Sequence, residues 1–263
     1  MERPLFMEEI GADGVARITL TRPAKRNAVN GALIREMTDA LDGIAGDSRA
    51  RCLVLAGEGE AFCAGGDLAE MSELAEADLD RNRADADALG RLLQTLDGFP
   101  LPTVALVHGA AIGAGLGIVA CCDIVVADQT AAFALPESRL GLVPGVIAPF
   151  VAAVTGERWA RRYSLTGERF DASTAQFLGL VHELVHGGTL ETQGRHIVDA
   201  VLAGAPGAQR ESKTQLQRLR GRTPDEQAVG DGAERLANRR VSKEGREGVR
   251  AFLEKRKPAW TSG

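Results

Sequence analysis

Two places in this chain put small residues where a strand-like apolar run gives way to a helix-like one. That repetition narrows the fold more than any other feature. The first is Phe62-Cys63-Ala64-Gly65-Gly66-Asp67-Leu68, downstream of the run Cys52-Leu53-Val54-Leu55-Ala56. The second is His108-Gly109-Ala110-Ala111-Ile112-Gly113-Ala114-Gly115-Leu116-Gly117, directly after Thr103-Val104-Ala105-Leu106-Val107. Residues without bulky side chains let a ligand reach the main chain, and the first N–H groups of a helix have no partner within it. Two such turns facing each other would aim a pair of donors at one oxygen, the arrangement that stabilises negative charge developing on a carbonyl oxygen.

Length and composition are those of a chain able to bury a large core: 263 residues, 44% hydrophobic and 25% charged. No apolar run approaches the roughly 20 residues needed to cross a bilayer, and Met1-Glu2-Arg3-Pro4-Leu5-Phe6 lacks the pattern of a secretory signal. The expectation is a cytoplasmic protein with no membrane partner. Cys52, Cys63, Cys121 and Cys122 show neither CxxC spacing nor neighbouring histidines, so they read as small buried residues in a reducing compartment. A formal charge of −5 argues against nucleic acid as a partner without excluding an anionic ligand.

Along the first half, strand and helix patterns alternate. Val15-Ala16-Arg17-Ile18-Thr19-Leu20 alternates as a half-buried strand entered through the turn Gly11-Ala12-Asp13-Gly14. Asn30 is placed as the N-cap of a helix carrying Leu33, Ile34, Met37 and Leu41. Strands over 52–56, 103–107 and 123–127, a helix over 113–121 and an acidic helix-and-loop stretch over 69–90 continue the alternation, which predicts an α/β architecture. From about residue 144 the pattern is helical, over 146–154, 157–165, 172–178, 190–202, 208–219, 224–239 and 242–252, with one short strand over 181–185.

Several chemistries are excluded. Gly113-Ala114-Gly115-Leu116-Gly117 fails the dinucleotide fingerprint at Ile118, and no acidic ribose partner stands about twenty residues on. No GxxxxGK[ST] phosphate loop or G-x-S-x-G nucleophile elbow occurs. His108, His182, His186 and His196 lack a metal-ligand spacing with carboxylates. No metal is expected.

In order and spacing, five segments resemble the crotonase family, the enoyl-CoA hydratases and isomerases. Pro23-Ala24-Lys25-Arg26-Asn27-Ala28 resembles its first CoA-contacting loop, Phe62 to Leu68 its first oxyanion loop and Gly109 to Gly117 its second. Leu135-Pro136-Glu137-Ser138-Arg139-Leu140-Gly141 resembles the catalytic-acid segment, and Ala251-Phe252-Leu253-Glu254-Lys255-Arg256 the closing helix. The resemblance implies a spiral of repeated ββα units with the acyl-CoA site, over 1–195, and a helical C-terminal oligomerisation region over 196–263. It also implies trimers or pairs of trimers, and no permanently bound cofactor, with coenzyme A arriving as part of the thioester.

By the same resemblance, the backbone N–H groups of Gly66 and Ala114 are the oxyanion donors and Glu137 is the acid/base. Lys25, Arg26, Ala28, Ala64, Asp67, Leu68 and Lys255 line the path of coenzyme A. Gly117 stands where two-glutamate hydratases carry a second carboxylate; its missing side chain is expected to enlarge the pocket and leave Glu137 alone on the water. The stretches 141–150 and 156–163 resemble hydratases of branched 3-methylglutaconyl-type and isohexenylglutaconyl-type thioesters, whose distal carboxylate Arg139 would meet unless it forms a surface ion pair instead. A Δ3,Δ2-enoyl-CoA isomerase and a non-catalytic CoA-binding subunit remain as alternatives.

Overall fold

The computed structural model describes residues 3–261; the first two and last two residues of the expected 1–195 and 196–263 division lie outside them. Strand β1 (Phe6–Ile10) pairs antiparallel with β2 (Val15–Leu20) through a turn closed by Gly14 N–H on the Gly11 carbonyl. Gly14 sits at φ +82°, and a methyl carbon there would lie 2.7 Å from the Arg49 carbonyl oxygen. Beyond β2 the sheet is parallel: β3 (Cys52–Gly57), β4 (Thr103–Val107), β6 (Ile124–Asp128) and β9 (Glu183–Val185), in the order β1-β2-β3-β4-β6-β9.

Helix α1 (Gly31–Gly46) connects β2 to β3, capped as expected by Asn30, whose side chain accepts from Leu33 N–H. The acidic stretch forms α2 (Leu68–Ala75) and α3 (Leu79–Asp97), separated where Asp78 caps the second. After β4 come β5 (Ala110–Ile112) and α4 (Ala114–Ala120). Strand β5 joins β7 (Ala132–Ala134) and β8 (Phe170–Asp171) in a second, three-stranded sheet whose strands are too short to show a sequence period.

Both faces of the main sheet are buried, which is why its parallel strands read as continuous apolar runs. Leu53, Leu55, Ala105 and Val107 face the larger core with α1 and α3. Cys52, Val54, Val104, Leu106 and Val126 face Val198 and Val201 of α8 (Leu190–Ala203). The expected boundary between residues 195 and 196 falls inside this helix, which is one unbroken element packed on the sheet; the main-chain break comes at Gly204. All four cysteines are buried and free. Between β7 and β9 lie α5 (Ala148–Thr155), α6 (Glu157–Thr166) and α7 (Ala172–Phe177), and the chain ends with α9 (Pro206–Arg218), α10 (Glu226–Val241) and α11 (Lys243–Leu253).

Candidate active site

Loops leaving the carboxyl ends of β2, β3, β4 and β7 converge on one cleft, the position where parallel sheets hold ligands. The first loop folds over a 3-10 turn at Pro23–Lys25, then passes through Arg26 and Asn27, both left-handed at φ 50° and 55°. Asn27 has no solvent exposure and explains that conformation. Its Oδ1 accepts from Arg22 N–H at 2.9 Å, and its Nδ2 donates to the carbonyls of Glu58 and Ala61 at 2.8 and 2.7 Å. The loop after β2 is thereby tied to the loop after β3.

At its far end the same loop fixes Gly66. Val29 donates to the Gly65 carbonyl at 2.7 Å and its own carbonyl accepts from Asp67 N–H at 2.8 Å. Among the described residues the intervening Gly66 N–H has no acceptor, and Gly66 is exposed between two buried neighbours. The second turn stacks beside the first: Cys63 pairs in parallel with Ala111, donating to the Ala110 carbonyl at 2.9 Å and accepting from Ile112 N–H at 3.0 Å. Gly113 (φ 51°, ψ −116°) aims the Ala114 N–H outward from the start of α4, and no acceptor among the described residues takes it. At Gly115 a methyl carbon would lie 2.4 Å from the Cys63 carbonyl oxygen, so a residue without Cβ is needed for the two turns to approach.

Glu137 opens a 3-10 turn, Glu137–Leu140, that follows the buried Leu135. Its Oε1 lies 3.0 Å from where a Gly113 methyl would stand, and that same methyl position is 4.0 Å from Gly65 Cα. Carboxylate and both turns therefore share one space. Glu137 Oε2 is fully buried with no hydrogen-bond partner among the described residues. Burial pushes the carboxyl up from its ordinary range, against a smaller opposing backbone hydrogen bond.

One expectation about the pocket is corrected. A methyl at Gly117 would meet Ile147 Cγ2 at 3.1 Å and Leu93 Cδ1 at 3.3 Å, so the volume freed by the glycine is filled by buried apolar side chains and the pocket is not enlarged there. Arg139 is exposed, its Nε donating to the Thr166 carbonyl at 2.9 Å at the end of α6, with Gly167 packed against its stem.

The residues expected along the coenzyme path divide in two. Lys25 and Arg26 are exposed on the first loop, and Lys25 lines a cavity of about 770 Å³ with Arg3, Thr21 and Glu36. Ala28 is buried, Ala64 is half-buried and donates to the Arg26 carbonyl, and Leu68 is 81% exposed at the start of α2. Asp67 is 6% exposed, and both its oxygens are occupied: Oδ2 by Arg22 at 2.7 Å, Oδ1 by Ala69 N–H at 3.0 Å. Its hydrogen bond from Arg22 holds its carboxyl below the usual range. Lys255 lines a different cavity with Asp13 and Arg51, which precede β2 and β3. Six residues of β2 at about 3.3 Å each separate that end of the sheet from the cleft by roughly 20 Å, so Lys255 does not join Lys25 within one subunit.

Arg22 was not singled out by the sequence. Its role depends on Asp67, 45 positions away, and the only local signal is a cation at a strand exit before a Pro-Ala-Lys-Arg-Asn turn. Among the described residues no group of histidines, cysteines and carboxylates could hold a metal ion, and no helix is long and apolar enough to cross a membrane.

Comparison with known proteins gives the chain its place. The family described as Enoyl-CoA hydratase/isomerase matches residues 11–263. The chain belongs to the enoyl-CoA hydratase/isomerase family. A putative enoyl-CoA hydratase of Thermus thermophilus is 33% identical, the match covering 96% of this chain and 99% of the relative. The 2,3-dehydroadipyl-CoA hydratase of Escherichia coli is 34% identical, over 93% of this chain and 94% of its own. The crystal structure of an enoyl-CoA hydratase from Shewanella pealeana superposes with a TM-score of 0.94 at 40% identity, covering 98% of this chain and 96% of that one. The mixed α/β architecture is thus the crotonase fold of this family.

Proposed function

We propose that this crotonase-family protein is an enoyl-CoA hydratase with a single carboxylate. The observation that carries the reading is Glu137, whose buried, unpartnered Oε2 shares a cleft with two turns that each present an N–H without an acceptor. In this reading Gly66 and Ala114 donate to the thioester oxygen. Glu137 as carboxylate takes a proton from water as the water oxygen bonds to C3, and the electron pair of the C2–C3 double bond moves towards the thioester as an enolate. Glu137 then returns the proton to C2, so the elements of water are added and the carboxylate is regenerated. Water is the only co-reactant, and coenzyme A enters as part of the substrate. Donors fixed before the charge develops need no reorganisation at the moment of reaction.

The substrate class proposed is a branched glutaconyl-type thioester. The named substrate of the E. coli relative, an enoyl-CoA carrying a second carboxylate, supports a dicarboxylic acyl group. A second reading, the Δ3,Δ2-enoyl-CoA isomerase, is favoured by Ile147 and Leu93 at Gly117, which leave one carboxylate to move a proton between carbons. Assembly as a trimer or pair of trimers rests on exposed apolar side chains of α11, Val249, Phe252 and Leu253. Lys255 would then contribute only from a neighbouring copy.

The test is incubation of purified protein with 3-methylglutaconyl-CoA, crotonyl-CoA and a 3-enoyl-CoA, following enoyl-thioester absorbance and product mass. A water adduct formed fastest from the branched diacid is expected. An isomer of unchanged mass from the 3-enoyl substrate alone supports the second reading, and thermal protection by all three without conversion overturns both.

A further inference from the structure

Arg22 lines the cavity that also holds Lys25, and its guanidinium begins a continuous chain of hydrogen bonds that ends at Gly66. Nη2 is paired with Asp67 Oδ2 at 2.7 Å, with the two side chains 15% and 7% exposed. Nη1 donates to the Ala28 carbonyl. The other end of that same peptide unit is the Val29 N–H, which donates to the Gly65 carbonyl at 2.7 Å. The other end of the Gly65 peptide unit is the Gly66 N–H.

A trans peptide is planar and its C=O and N–H point in opposite directions. Holding the Gly65 oxygen towards Val29 therefore forces the Gly66 N–H away from Val29, to the side where no acceptor is found among the described residues. The first link does the same for the Ala28–Val29 unit. The two peptide dipoles are aligned head to tail with a cation at their start, and each bond in such a chain polarises the next, by about 10–30% per bond.

We infer that Arg22 is a positioning residue that acts through the Ala28–Val29 and Gly65–Gly66 peptide units to aim and strengthen the Gly66 N–H as a donor to the thioester oxygen. The inference rests on the reading of Gly66 as an oxyanion donor. Asp67 has a complementary part: it holds Arg22 at the loop, caps α2 and takes the charge of a cation buried in a narrow space. Asn27 contributes by fixing the Arg22 main chain, accepting its N–H and donating to its carbonyl at 2.9 Å each.

A conjugated probe thioester, 4-aminocinnamoyl-CoA, tests this, because its absorbance moves to longer wavelength when its carbonyl is polarised. Bound to the wild-type protein, it should show that red shift. Arg22→Met should lose most of the shift, lower kcat about tenfold or more and leave KM nearly unchanged; Arg22→Lys, which keeps a cation, should restore part of both. Arg22→Gln keeps a side-chain donor without the charge, should behave as Arg22→Met, and decides the matter if Arg22→Met does not fold. A full red shift in both neutral variants overturns the inference while leaving the oxyanion reading standing. Absence of any red shift with bound wild-type protein overturns both.

Discussion

At the scale of the residue, Glu137 costs stability where it is useful. Its folded-state pKa is raised by burial, so the folded protein holds its proton more tightly than the unfolded chain. Below the ordinary glutamate range both states are protonated and there is no penalty; above the raised value the buried carboxylate destabilises the fold. Glu137→Gln should therefore melt higher than wild type at pH 7–8, with the advantage disappearing as pH falls towards the ordinary value of 4.5. A calorimetric pH series checks this. The same variant should lose turnover by about 10²-fold or more while still binding acyl-CoA. Hydration by wild type should fall as pH drops through the raised pKa, because the base must be ionised to take the water proton. As a single glutamate, this residue has no signature in the sequence; only its Pro-Glu-x-x-Leu-Gly setting and its resemblance singled it out. Arg22 had no such setting, and Gly117 could not reveal that Ile147 had taken its space.

At the scale of the element, legibility followed length. The strands at 15–20 and 103–107 match the sequence pattern at both ends, and the α1 cap is the residue expected. β5, β7 and β8 have two or three residues each, less than the span over which a period of two can be seen. β1 escaped for another reason: Phe6–Ile10 is half-buried only at its ends and shows no alternation. Glycines specify how these short pieces meet. Gly115→Ala should push the second turn off the Cys63 carbonyl, destabilising the fold by about 1–3 kcal/mol and lowering kcat more than KM, as read by denaturant titration and steady-state kinetics. At the other end of the sheet, Arg51 donates to the carbonyls of Leu202, Gly204 and Trp260, tying the end of α8 to the C-terminal segment. Arg51→Met would leave these without that donor and should cost about 1–3 kcal/mol with catalysis at ambient temperature intact.

At the scale of the whole molecule, the packed part and the exposed part divide the work. α8 completes the core on one face of the sheet, whereas α10 and α11 bury only Ala228 and Ala251 and leave Val229, Leu236, Val241, Val249, Phe252 and Leu253 open to solvent. An apolar stripe of that extent on a single subunit suits burial against another copy. Replacing Phe252 and Leu253 together by glutamate should reduce the mass measured by light scattering to that of a smaller assembly, with helical circular dichroism unchanged. The molecule also separates recognition from reaction in a way that bears on its history. The groups assigned to the thioester oxygen are amides of the polypeptide itself, which no point substitution other than one to proline deletes, and the residues that border them are ordinary side chains open to exchange. A lineage built like this can alter which acyl group it accepts one wall residue at a time, without first surrendering the means of activating it.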